Sequence, residues 1–172
     1  MIAALASPVW SETIDDFVER DGKYYLMFTD EGFDDKVEGI IQGTLKDGLW
    51  NGKYTKYHEN GQLMDRGTYK NGKREGLWEW YNEDGQLYGK GNFKDGKSEG
   101  PWEWYYESGQ LSKKGNYKDG KAEGFSEFYY ESGQLSKKGN YKDGKAEGLW
   151  EYFKGDGTLR KTETYKNGVK VE

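Results

Sequence analysis

His58 is the single histidine of the chain, and Glu75, Glu99, Glu123 and Glu147 recur every 24 residues beside Lys73, Lys97, Lys121 and Lys145. A histidine can shuttle protons near neutral pH, and paired carboxylates can work as acid and base or hold a cation. The copying argues against such uses. A catalytic pair is one unique arrangement, whereas this acidic row returns in every unit, so the spacing reads as solvated charge flanking a turn. His58 stands where corresponding positions hold Asn82, Tyr106, Tyr130 and Lys154, which marks it as a surface variant opposite Leu63. The Asp-Gly turns supply one Asp each and do not converge oxygens on a calcium ion. There is no cysteine, hence no disulfide, thiolate metal site or Cys nucleophile. Neither a G-x-S-x-G elbow nor a phosphate-cradling glycine loop is present. The expectation is a chain that is not an enzyme and takes no cofactor or metal.

The elements that position these residues are written in the glycines. Gly48, Gly72, Gly96, Gly120, Gly144 and Gly168 recur at 24 residues, each after Asp or Asn. A second row, Gly61, Gly85, Gly109, Gly133 and Gly157, sits in NGQL, DGQL, SGQL or DGTL. Third and fourth rows run from Gly52 to Gly148 and from Gly43 to Gly139. Tyr105–Gly124 and Tyr129–Gly148 are identical, the mark of an internal duplication. Asn-Gly and Asp-Gly suit the two-residue type I′ turn, in which both central residues take positive φ. With 17% aromatic, 33% charged and 26 glycines, the composition fits short strands joined by tight turns. The fold expected is all-β: an elongated single-layer antiparallel meander of tandem 24-residue hairpins. About twelve strands would make a ribbon roughly 55 Å across.

A type I′ turn at Asp84-Gly85 sets a register in which Tyr81 faces Tyr88, Trp80 faces Gly89, Glu79 faces Lys90, Trp78 faces Gly91 and Gly76 faces Phe93. The same register makes opposite-charge pairs of Glu103–Lys114 and Glu127–Lys138, and lets Lys113 and Lys137 meet the rings of Trp104 and Phe128. Every glycine of the third row then faces an aromatic ring, which reads as a ring covering bare backbone. One face collects Trp78, Trp80, Trp102, Trp104, Phe128, Trp150 and Tyr152, with Tyr106 and Tyr130. The other carries the Glu–Lys pairs and the row Tyr57, Tyr81, Tyr105, Tyr129 and Phe153. The rings are first the sheet's substitute for a core. Where they stay exposed, the seven named for the first face are the candidate binding residues.

Units such as YHENGQLMDRGTYKNGKREGLW (57–78) and YYESGQLSKKGNYKDGKAEGLW (129–150) resemble the MORN-repeat variant of the bacterial YwqK family of antitoxins. The entry VERDGKYYLMFTDEGFDDKVEG (18–39) is similar to that family's start, although the family often reads PFTG where this chain has Gly32-Phe33-Asp34-Asp35. The resemblance implies binding to a protein partner, a toxin by the family's name. Aromatic-glycine hairpins also resemble choline- and glucan-binding repeats, so a glycan or envelope polymer is the alternative partner. The net charge of −5 is interleaved without a basic block, which disfavours nucleic acid. No apolar run reaches the roughly 20 residues of a transmembrane span.

Three segments are expected. Residues 1–17 form an apolar N-terminal segment whose Ile2–Trp10 reads as a signal-peptide remnant, favouring an exported or periplasmic location, with a cytoplasmic one otherwise. Residues 18–48 form a capping hairpin, in which Lys23–Phe28 pairs with Lys36–Lys46 around Asp30–Gly32. Residues 49–172 hold the tandem repeats and the C-terminal cap.

Overall fold

The computed structural model describes residues 12–26 and 36–171. The chain opens with β1 (Glu12–Thr13), a 3-10 turn (Ile14–Asp16), β2 (Phe17–Arg20) and β3 (Lys23–Leu26), followed by β4 (Lys36–Glu38) and β5 (Ile41–Lys46). Long strands then alternate with two kinds of turn: β6 (Leu49–Tyr57), β7 (Leu63–Lys70), β8 (Lys73–Tyr81), β9 (Leu87–Lys94), β10 (Lys97–Tyr105) and β11 (Leu111–Lys118). After the short β12 (Lys121–Ala122) come β13 (Gly124–Tyr129), β14 (Leu135–Lys142), β15 (Lys145–Phe153), β16 (Leu159–Lys166) and β17 (Val169–Lys170). From β4 to β17 neighbours in sequence are neighbours in one open antiparallel sheet, apart from β12, which pairs with β11 beside β13; β1 joins the other edge parallel to β4.

The first turn row is as expected. Asp95 (φ 52°) and Gly96 (φ 83°) both lie in the left-handed region between the paired Lys94 and Lys97, and the same holds from Asp47-Gly48 to Asn167-Gly168. A type I′ turn requires that, and Asn and Asp tolerate it best among residues with a side chain.

The second turn row corrects the expected geometry. Asn82 N donates to Gln86 O and Gly85 N to Asn82 O, both at 2.9 Å, and only Gly85 (φ 77°) is left-handed. This is a three-residue loop ending in a glycine bulge. Tyr81 therefore pairs with Leu87 rather than Tyr88, and His58 closes onto Gln62 rather than facing Leu63. A second irregularity, between Trp80 and Tyr81 with Tyr88 as the extra residue of β9, takes up the one-residue difference, so Trp80–Gly89, Glu79–Lys90, Trp78–Gly91 and Gly76–Phe93 pair as the sequence predicts.

The glycines of the third row do face Tyr or Phe, yet a ring is not why they are glycine. Gly100 has φ 71° and open space where a Cβ would stand. It lies in a bulge where three residues of β10 oppose one of β9. The two extra residues preserve side-chain parity from unit to unit. Ring-over-glycine packing belongs to the fourth row instead. A Cβ on Gly91 would stand 2.1 Å from the Trp102 ring, and on Gly67 or Gly139 2.3 Å from Trp78 or Trp150.

The N-terminal pairing also differs from expectation. Among the described residues β3 pairs with β2 around Asp21-Gly22, and β4 pairs with β5. The Asp21-Gly22 step makes its own type I′ turn, which local sequence favours over a distant partner. Tyr24 of this hairpin donates its amide to Gly48 O at 2.7 Å, and its ring stands 5.6 Å from that of Trp50. Ile14, Phe17 and Tyr24 thereby close a small core of Val37, Leu45 and Trp50. Phe28 and the Asp30–Gly32 turn lie outside the described residues, as does Ile2–Trp10.

Candidate functional site

One face of the sheet is built in two layers of rings. In the lower layer Trp78, Trp102 and Trp150 are buried, each indole lying on a fourth-row glycine of the preceding strand. Their Nε1 groups donate to Thr68 O, Asn92 O and Asn140 O at 3.1, 3.1 and 3.2 Å, which satisfies the buried donor. The upper layer, Trp80, Trp104, Phe128 and Tyr152, is half-buried. Rings of the two layers stack, Trp78 with Trp80, Trp80 with Trp102 and Trp102 with Trp104, at 6.4, 5.3 and 5.6 Å between centroids. All seven candidate binding residues are thus on one face; four offer accessible ring surface and three lie beneath them.

The register strings the upper layer into a straight lateral row. Crossing the sheet from β6, directly opposed residues run Lys56, Asp65, Trp80, Gly89, Trp104, Lys113, Phe128, Lys137, Tyr152, Lys161. In its second half rings and lysines alternate: the ammonium groups of Lys113, Lys137 and Lys161 stand 4.4, 4.3 and 4.6 Å from the rings of Trp104, Phe128 and Tyr152. The first two are the cation–π contacts the sequence register anticipates. Burial, with Lys137 nearby, holds the Lys113 ammonium below the ordinary lysine range. The first half departs from this pattern. Asp65 takes a position that holds lysine in later units, with Oδ1 buried and without a hydrogen-bond partner. Burial raises its carboxyl, against the opposing pull of Arg74, Lys56 and His58.

The lower layer is interrupted once. Ser126, 2% exposed, occupies the position of Trp102 and Trp150, and its Oγ lies 2.5 Å from where a Cβ on Gly115 would stand. At the far end Glu163 replaces the fourth-row glycine. It receives Lys161, Lys170 and the Tyr165 hydroxyl at 2.9, 2.8 and 2.8 Å, which hold its carboxyl far below the usual range. A charge here leaves no seat for a further indole, so the ring layers end on it.

The opposite face is a charge ladder. Arg66, Glu79, Lys90, Glu103, Lys114, Glu127, Lys138 and Glu151 are directly opposed strand by strand. Each carboxylate closes its ion pair with the preceding strand, at 2.6 Å for Arg66–Glu79, 2.9 Å for Lys90–Glu103, 2.6 Å for Lys114–Glu127 and 3.0 Å for Lys138–Glu151. The sequence register expects the following strand, which is equally adjacent. Cations of the ladder also lie over Tyr81, Tyr105, Tyr129 and Phe153.

Sequence reasoning passes over a row on this charged face. Leu77, Phe125 and Leu149 are about half exposed, with Pro101 at the corresponding position. The signal is the residue after each third-row glycine, hidden beside the tryptophan that follows it.

The other chemistry-bearing residues are engaged structurally. Glu75, Glu99, Glu123 and Glu147 accept the amides of Asp95, Asp119, Asp143 and Asn167 at 2.7–3.0 Å, fastening each turn to the next. His58 Nε2 lies 2.9 Å from Tyr81 O. The Tyr106 and Tyr130 hydroxyls donate to Tyr129 O and Phe153 O in the same way, at the loop edge of the sheet. The described residues contain no group of three or more His, Cys, Asp and Glu side chains able to hold a metal. They contain no helix long and apolar enough to cross a membrane.

The family described as MORN repeat variant matches residues 50–71, 74–95, 98–119, 123–143 and 146–167, more than half of the chain. Each match opens just after one type I′ turn and ends at the first residue of the next. No curated protein matches the sequence significantly.

Proposed function

The chain belongs to the MORN repeat variant family, and from that premise we propose that it is a non-enzymatic scaffold for protein–protein interaction that engages its partner on the two-layered aromatic face. One observation carries the reading: Trp80, Trp104, Phe128 and Tyr152 form a straight row of half-exposed rings, the first three packed against buried indoles. Rings immobilised in this way lose little entropy on binding, and tryptophan dominates interface energetics. The engagement of His58 and of the glutamate row in backbone contacts supports a role without catalysis. The resemblance to antitoxins supports a toxin as the partner, neutralised by occlusion.

Capture from the source cell by the wild type and by Trp80→Ala/Trp104→Ala tests this. Both residues lie in the upper layer, so the variant should keep its β-sheet circular dichroism and lose at least about tenfold in capture of the specific partner. Equal capture of every partner would discard the aromatic face. A glycan reading draws on the same rings, whose flat exposed surfaces recur at about 10 Å, two strand spacings. Co-sedimentation with peptidoglycan that depends on Trp104 would favour it over the protein partner.

A further inference from the structure

We propose that the aromatic face holds an anion clamp over Phe128, and that the segment it takes is an acidic stretch of another protein with carboxylates three residues apart. The proposal rests on the aromatic face being the binding face and names the chemistry of what lies there.

The Ser126 interruption comes first. Ring contacts run unbroken from Trp50 to Trp104 and Tyr117, and resume between Phe128 and Trp150. Between the two segments the indole layer is replaced by one hydroxyl-bearing side chain. Lys113 spans this break, its ammonium 4.4 Å from the Trp104 ring and 5.2 Å from that of Phe128. From the other side the Lys137 ammonium lies 4.3 Å from the same Phe128 ring. Two partly buried cations therefore share one aromatic floor.

Their counter-charge is missing among the described residues. On this face of strands β6–β16 the carboxylates are Asp65, on β7 and four strands from Lys113, and Glu163, already held by Lys161 and Lys170. The ladder glutamates that neutralise Lys114 and Lys138 lie on the opposite face. In a chain of net charge −5, Lys113 and Lys137 are thus paired, among the described residues, with rings alone. A cation withdrawn from water gains most from an anion that reaches it there. The two lysines stand on β11 and β14 with β13 between them. That is about 10 Å, close to the rise of three residues of polyproline II chain, whose threefold turn sets residues three apart on the same side.

The test is titration of the protein with a synthetic peptide carrying two glutamates three residues apart, followed by tryptophan fluorescence, with its glutamine counterpart alongside. The glutamate peptide should bind, weaken with added salt, and lose about tenfold in affinity with Lys113→Gln/Lys137→Gln. Lys114→Gln/Lys138→Gln, on the opposite face, should leave binding unchanged. Lys113→Glu/Lys137→Glu should reverse the preference toward a lysine peptide, which keeps the result independent of any loss of fold. Equal affinity for both peptides, or no binding of either, overturns the clamp. Lysine-dependent binding to phosphatidylserine vesicles or to an acidic polysaccharide without binding to the peptide overturns the choice of partner. If the clamp fails while partner capture still depends on Trp80 and Trp104, the scaffold reading stands without it.

Discussion

At the scale of single residues, glycines of one row look alike in sequence and differ in what a methyl group would meet. On Gly91 it would collide with the Trp102 ring, which is wedged between neighbouring aromatics. On Gly115 it would meet the Ser126 hydroxyl, which can rotate away. Gly91→Ala should therefore cost about 2–3 kcal/mol in urea denaturation and Gly115→Ala under about 1 kcal/mol; equal costs would refute the packing assigned to the fourth row. Asp65 gives a second residue-scale prediction. Its raised carboxyl means that the folded state takes up a proton more readily than the unfolded chain. The penalty for ionisation is present above the folded pKa and absent below the unfolded value of about 3.9. Asp65→Asn should stabilise by about 1 kcal/mol near pH 7, with the gain fading on acidification; a gain that grows toward low pH would contradict it. Which glycines lie packed beneath a ring, and which acid was orphaned, was not legible beforehand, because both depend on side-chain reach across a bulge rather than on period.

At the scale of elements, the two turns divide the labour of each hairpin. The left-handed Asp95 makes the tight turn, and Asp95→Ala should cost about 1 kcal/mol, since an alanine Cβ is disfavoured at positive φ. Ser108 precedes a left-handed glycine without being left-handed itself, and Ser108→Ala should cost less than about 0.5 kcal/mol. Thermal unfolding of the two variants separates the turn types, and equal shifts would mean they are one. The strand register was readable because charge pairs and ring–lysine pairs agree only in one alignment. The second turn was misread because Asp-Gly and Asn-Gly serve both geometries. The clue lay in Ser108 and Ser132, residues poorly suited to a left-handed position. The N-terminal hairpin escaped for another reason: Asp21-Gly22 lies outside the 24-residue period, so attention to the period hides the one local turn that sets its pairing.

At the scale of the whole molecule, stability should be nearly a sum over neighbouring units. The internal duplication permits a clean test. Removing residues 105–128 joins Trp104 to Tyr129 and restores the pattern of an unbroken unit. The shortened chain should fold as a sheet about 10 Å shorter, with a urea m-value lower in proportion to the lost surface. Loss of cooperative unfolding would show that the units are not interchangeable. The stacked indoles carry one further consequence, an optical one. Trp78, Trp80, Trp102 and Trp104 follow one another at 5.3–6.4 Å, close enough for their excited states to couple. Light absorbed at one of the four is shared among them, and the circular dichroism of this protein should carry an exciton couplet from the indoles on top of its β-sheet signal. A contact made at the Trp104 end would then register in the emission of rings two strands away, so the sheet reports its own occupancy without a label.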